Sequence, residues 1–190
     1  MNIPHPLEAI PEGAATWLTF AALVVLFLVF GKLAGPDLDS KKISKCNRRI
    51  IALERPADAD DARAVIAEWK DAGRLDAVRR SIWWDYVFIL VYTTLAALGC
   101  VIAARAFFKE GSAEYNAALL IAWLPLLAGL LDCVENYAML GMLDGFEGET
   151  LPRLARWCAT VKFCIIIPIA GWVLTTIVLL GIKHLLLLRK

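Results

Sequence analysis

An all-α, polytopic membrane protein is the fold class this sequence predicts, and three observations carry the prediction. Hydrophobic residues make up 59% of the 190-residue chain and charged residues 21%, respectively well above and somewhat below the averages of soluble domains; the mean hydropathy is +0.62. The apolar residues gather into four runs, at about residues 14–35, 82–106, 117–142 and 157–180. Each reaches or exceeds the ~20 residues a helix needs to cross ~30 Å of hydrocarbon. Lysine and arginine, finally, are spread unevenly over the segments that join these runs. The expected architecture is one membrane domain, residues 1–190, with four transmembrane helices in an antiparallel bundle. A small cytoplasmic helical insert, residues 37–81, separates the first two, and a short cytoplasmic loop, residues 143–156, the last two.

The first run is expected to stay as a span. Residues 1–17 carry no Lys or Arg, two Glu and three Pro, whereas a secretory leader begins with basic residues. A start without positive charge favours sending the N-terminus across the membrane. Twelve Lys and Arg then fall within residues 32–80, and Arg153 and Arg156 lie in the 143–156 loop. Arg105, Lys109, Lys183, Arg189 and Lys190 fall on the opposite side. The positive-inside rule puts residues 36–81 in the cytoplasm and both termini outside, in a membrane such as the bacterial inner membrane. A net charge of +1 gives no reason to expect a nucleic-acid partner; the expected partner is the lipid bilayer.

Gly35 and Pro36 end the first helix, and residues 37–40 offer N-cap side chains for the next. Ile43, Cys46, Ile50 and Leu53 recur at helical spacing, with Lys41, Lys42, Lys45, Arg48 and Arg49 around much of the remaining surface. Such a basic amphipathic helix is suited to lie on anionic headgroups, or else to pack on the bundle while its cations enforce topology. Arg55 and Pro56 break the pattern. Ala62, Val65, Ile66 and Trp69 mark a second short helix ending near Ala72 and Gly73, and Leu75, Val78 and Ile82 lead directly into span two. At about 45 residues the insert is too short for an independent core, so it must rest on the spans, the lipid or a partner.

The chemistry concentrates where the third run is interrupted by Asp132, Glu135 and Asn136. Their spacing of i, i+3 and i+4 sets all three on one helical face, and each acid costs roughly 2.5–3.5 kcal/mol to insert at membrane depth. Pro125, Ala128 and Gly129 precede them on that face; small residues permit close helix approach, and the proline can loosen the backbone ladder. In span two, Trp83, Trp84 and Tyr86 read as an interfacial anchor, with Asp85 among them and Tyr92 facing the same way. Asp85 has an alternative reading, solvated at the headgroups or paired with Arg79 or Arg80. Lys162 in span four lies at a matching depth and is the natural counter-ion for Glu135 or Asp132, and Lys32 can reach the same layer by snorkelling. Asp132, Glu135, Asn136, Asp85 and Tyr92 are therefore the candidate proton- or cation-binding residues, with Lys162 as counter-ion. Three acids against one base require a protonated carboxyl or a bound cation. Oxygen ligands suit a hard ion, although no particular metal is indicated. A purely structural ion pair is the competing reading. Beyond Thr93, Thr94, Thr175 and Thr176 no charged ladder continues outward, which favours a site open to the cytoplasmic leaflet.

Other motifs are absent or weak. The five cysteines show no metal or redox spacing and read as small apolar filler. His5 and His184 are both expected near the outer face, so they form no haem pair within the bilayer, and no cofactor is expected. Residues 143–150 are acidic but lack the ligand alternation of a calcium loop, and read as a turn before a helix starting near Pro152. The leading functional expectation is a component of a transporter or channel that binds or moves protons or a small cation. Homo-oligomerisation would go with it, and Ala96, Cys100 and Ala104 offer a small-residue seam on span two. Two other readings stand beside it. One is an accessory or assembly subunit docked on a membrane partner. The other is a membrane enzyme acting on a lipid headgroup through Asp85, Asp132 and Glu135. Against the enzyme stand the missing HExxH and GxSxG motifs, and no catalytic residue is assigned.

Overall fold

The computed structural model describes residues 5–34 and 50–188, and among them the chain is built of helices joined by turns. A 3-10 turn, Pro6–Ala9, precedes α1 (Ala14–Ala34); α2 (Ile51–Glu54), α3 (Ala59–Asp71), α4 (Leu75–Phe107), α5 (Ala113–Ile121), α6 (Leu124–Leu143) and α7 (Thr150–Leu188) follow. Four segments, Ala14–Lys32, Leu75–Phe107, Ala113–Leu143 and Thr150–Leu187, are long and apolar enough to cross a membrane. The basic residues Lys41, Lys42, Lys45, Arg48 and Arg49 lie outside the described residues.

Local chemistry explains most helix ends. Asp58 caps α3 by accepting a hydrogen bond from the Asp61 amide at 2.8 Å, and the chain leaves that helix through Gly73 at a φ of +65°, a conformation that glycine adopts without strain. Helix α4 then starts at Leu75 and continues without a break through the second apolar run. Its 33 residues make it about 50 Å long at 1.5 Å per residue, so one helix serves both the insert and the span. The third run departs from expectation. It divides into α5 and α6 at Ala122 and Trp123, and Pro125 occupies the first turn of α6 rather than the interior of one continuous helix. A first-turn proline lacks an N–H that would have had no helical partner anyway. Pro125 therefore begins a helix instead of loosening one.

Two apolar clusters hold the elements together. Leu53, Val65, Trp69, Val78, Ile82, Met139, Met142 and Ala155 are buried against one another, joining the insert to α4, α6 and α7. Arg156 reinforces the junction by donating to the Ala57 carbonyl, and the Ala59 amide donates to Glu149. The described part of the insert, α2 and α3, thus rests on the long helices. Toward the other end, Cys100, Val101, Ala104, Tyr115, Leu119 and Ile169 form the second cluster, from α4, α5 and α7. The small-residue seam, Ala96, Cys100 and Ala104, could serve between copies or equally within one chain; it is filled by this cluster, so it is an intramolecular packing face.

Helix α1 lies on α4, pairing Phe27 with Phe88 at 5.1 Å and Phe30 with Trp84 at 6.1 Å between ring centroids. At the far end of α4, Arg105 ties down the N-terminal turn by donating to the Glu8 and Ile10 carbonyls at 2.7 and 3.1 Å.

Candidate functional site

The order of residues along three helices defines a polar layer between the two apolar clusters. On α6 the sequence passes from Ala122 of the second cluster, through Asp132, Glu135 and Asn136, to Ala138, Met139 and Met142 of the first. On α7, Lys162 falls between Ala155 and Ile169. On α4, Asp85 and Tyr92 fall between Ile82 and Cys100. Charged groups are thus enclosed by apolar packing above and below.

Close helix approach makes this layer possible. A Cβ on Gly129 would come within 2.6 Å of Thr93 Cγ2 and 3.2 Å of Ile89 Cγ2, so glycine alone allows α6 this near to α4. One turn further along, Tyr92 Oη donates to Asp132 Oδ2 at 2.8 Å, and Asn136 Nδ2 donates to Asp85 Oδ2 at 2.7 Å. These two hydrogen bonds join the helices on either side of Ile89. Tyr86 adds a longer one to the Cys133 carbonyl at 3.4 Å.

From α7, Lys162 Nζ reaches both remaining acids, at 2.6 Å from Asp132 Oδ1 and 2.8 Å from Glu135 Oε2. The Asp132 contact is an aligned hydrogen bond. The Glu135 contact is an ion pair through Oε2, and Glu135 Oε1 has no hydrogen-bond partner. Asn136 Oδ1 also lacks one. Exposure is 0% for Glu135, 1% for Asn136, 6% for Asp132 and 7% for Lys162. Water is therefore kept from groups that ordinarily hold it, and orphaned acceptors at such depth are costly.

The structure thus brings Asp132, Glu135, Asn136, Asp85, Tyr92 and Lys162 into one linked layer. Of the two alternative partners for Asp85, Arg79 pairs with Asp144 at 2.7 Å and Arg80 stands exposed on α4. Lys32 stands exposed on α1. Among the described residues, no three His, Cys, Asp or Glu side chains converge as ligands of a metal ion.

Sequence reasoning missed Glu54. It ends α2, whose neighbour Leu53 is fully buried in the first cluster, and α2 packs on both α6 and α7. Burial pushes the Glu54 carboxyl above its usual range; the Lys162 charge opposes that rise, and Asp132 and Asp85 reinforce it. Glu54 therefore feels the same layer although it comes from the insert. A clue was present in the sequence, since Glu54 is the one acid between Asp39 and Asp58 in an otherwise basic stretch.

No protein-family model, curated protein or solved structure matches this chain.

Proposed function

We propose that this chain is a proton-binding component of a membrane transporter or channel, with the carboxylate layer as its working site. In this reading the four long helices form an antiparallel bundle, residues 36–81 face the cytoplasm and both termini lie outside, as the charge distribution favours. The carrying observation is Glu135: fully buried, sharing the Lys162 ammonium with Asp132, and with its Oε1 lacking any hydrogen-bond partner. Asp85, Asp132 and Glu135 ionised together would leave two negative charges beyond what Lys162 balances. A proton removes one of these and turns an acceptor into a donor while needing almost no space. A divalent ion has less support, because among the described residues three carboxylates do not gather around one point.

Asp132 and Lys162 then act as the fixed ion pair, Tyr92 and Asn136 as positioning donors, and Glu135 as the group whose proton comes and goes. Much of the apolar surface of α1 and α7 is uncovered within one chain, which suits lipid contact and assembly into a homo-oligomer. The test is proton flux in liposomes containing the purified protein, read by an entrapped pH-sensitive dye. Glu135→Gln is expected to abolish the flux. Unchanged flux in that variant would remove Glu135 from the mechanism and overturn the proposal.

A further inference from the structure

Past the second apolar cluster, α7 loses its cover. Val173 still lies against Gly99 of α4 and Thr176 is buried, but Ile182, Leu185 and Leu187 stand exposed. An open hollow of about 480 Å³ remains there between α7 and the start of α1, walled by Trp17, Ile177, Leu180 and Leu187. Its volume lies within the range of small-ligand sites. A second hollow, of about 200 Å³, shares Trp17 and Leu180 and continues to Ile102 and Ala106 of α4. Gly181 also lines the larger hollow, and a Cβ on it would meet nothing within 4 Å. Glycine costs a helix interior stability relative to alanine, and no contact among the described residues requires it here; it widens the hollow instead.

Lys183 and His184 complete the lining. They interrupt an apolar run that resumes with the four leucines of residues 185–188, so they do not simply mark the end of a span. A lysine amid apolar helix surface is costly unless its stem carries the charge outward or an anion meets it. Glu12 and Arg105, which line the smaller hollow, pair with each other at 3.4 Å. Among the described residues no acid pairs with Lys183. The groove thus joins an unbalanced cation and an N–H donor to an apolar wall, the complement of an anionic headgroup and its acyl chain.

We propose that this groove binds an anionic phospholipid, with its phosphate on Lys183 and His184 and an acyl chain along Trp17, Ile177 and Leu180. The site is separate from the carboxylate layer and does not depend on the proton-binding reading. Lys183 supplies charge, the His184 ring an N–H donor, and Trp17 an aromatic anchor of the kind found at membrane interfaces. A zwitterionic lipid covers the same apolar wall but gains no net attraction from Lys183. The attraction of one such cation corresponds to about a fivefold preference.

The experiment titrates the purified protein in a neutral detergent with phosphatidylglycerol or phosphatidylcholine carrying brominated acyl chains. Bromine quenches a nearby tryptophan, and the difference between wild type and Trp17→Phe isolates the signal of Trp17. Half-quenching of that signal is expected at about fivefold less phosphatidylglycerol than phosphatidylcholine. Lys183→Gln combined with His184→Gln should remove the preference while leaving quenching by phosphatidylcholine, and Gly181→Leu should weaken quenching by both lipids. All four positions are exposed, so each variant is expected to elute as wild type does. Equal half-quenching by the two lipids, or a preference that survives loss of Lys183 and His184, would overturn the site and leave a groove filled by bulk lipid. Quenching of Trp17 by neither lipid, or a Gly181→Leu protein quenched like wild type, would also overturn it. Inorganic phosphate that abolishes the preference, where chloride at matched ionic strength does not, would assign the cations to a free anion and overturn the lipid as occupant.

Discussion

A buried lysine between two carboxylates sets the energetics at the scale of single residues. The Coulombic gain of Lys162 with Asp132 and Glu135 is offset by desolvation of all three, so the pairing is best measured by breaking it. Lys162→Met leaves two acids uncompensated and is expected to cost about 3–5 kcal/mol. Unfolding in detergent micelles measures this, and adding Glu135→Gln to that variant should recover part of the loss. A Lys162→Met protein as stable as wild type would mean that the pairs contribute nothing. His5 supplies a second residue-scale prediction. Its ring stacks edge-on against Trp123 at 4.8 Å and its Nδ1 accepts from the Leu7 amide at 3.2 Å. Burial lowers its pKa below the ordinary 6.5, with the Ala122 backbone and Glu8 opposing. Because the folded state resists protonation, the stability His5 provides is complete above pH 6.5 and is lost as pH falls toward the depressed value. Wild type should therefore lose more stability than His5→Gln between about pH 7.5 and about pH 5, measured as melting temperature in one detergent. Glu54 has the opposite sign: its raised pKa means ionisation works against folding. Glu54→Gln is expected to stabilise the protein at neutral pH and to give no gain below the ordinary carboxyl value of 4.5; a gain that persists there would rule out ionisation as its cause.

Elements meet where small side chains let them. The α4–α6 contact at Gly129 leaves no room for a Cβ beside Thr93 and Ile89, and the Tyr92–Asp132 and Asn136–Asp85 hydrogen bonds lie within two turns of it. Gly129→Val is expected to separate the helices, at a cost of about 1–3 kcal/mol for overpacking. The same substitution should loosen the Tyr92–Asp132 bond, so proton flux is expected to fall although no ionisable group has changed. Normal flux and stability in that variant would show that the close approach is dispensable. Gly99 plays a comparable part at the other end, where a Cβ would meet Val173 Cγ1 at 2.6 Å. The division of the third run into α5 and α6 belongs to this scale as well. It frees α5 to complete the second cluster with Tyr115, Ala118 and Leu119, while α6 presents its polar face to α4 and α7.

Across the described residues, two apolar clusters enclose one charged layer, and α3 and the start of α4 carry Arg63, Lys70, Arg79 and Arg80. With α3 in the cytoplasm, a cysteine placed at exposed Asp71 should react with a membrane-impermeant maleimide only after cells are opened. Labelling from outside intact cells would reverse the proposed orientation. The N-terminal turn, held by Arg105 through the Glu8 and Ile10 carbonyls and by Tyr115 through the Glu8 side chain at 3.1 Å, closes the opposite end.

Composition and period were sufficient for the long apolar helices, though not for the break between α5 and α6 at Ala122 and Trp123. Apolar runs of span length, a helical stripe at Ala62, Val65 and Trp69, and acids at i and i+3 in a greasy segment are properties of a local stretch of chain, and each can be read without knowing its neighbours. Partner choice is different, because it depends on which helices touch and at what depth. The sequence by itself determined that Asp132, Glu135 and Asn136 share a face and that Lys162 lies at their level. Only the tertiary structure decided that Asn136 holds Asp85, that Tyr92 and Lys162 divide the two oxygens of Asp132, and that Glu54 arrives from the insert. The physical reason is that burial turns a side chain's surroundings into its chemistry, and those surroundings come from residues between 30 and 51 positions away in the hydrogen-bonded pairs.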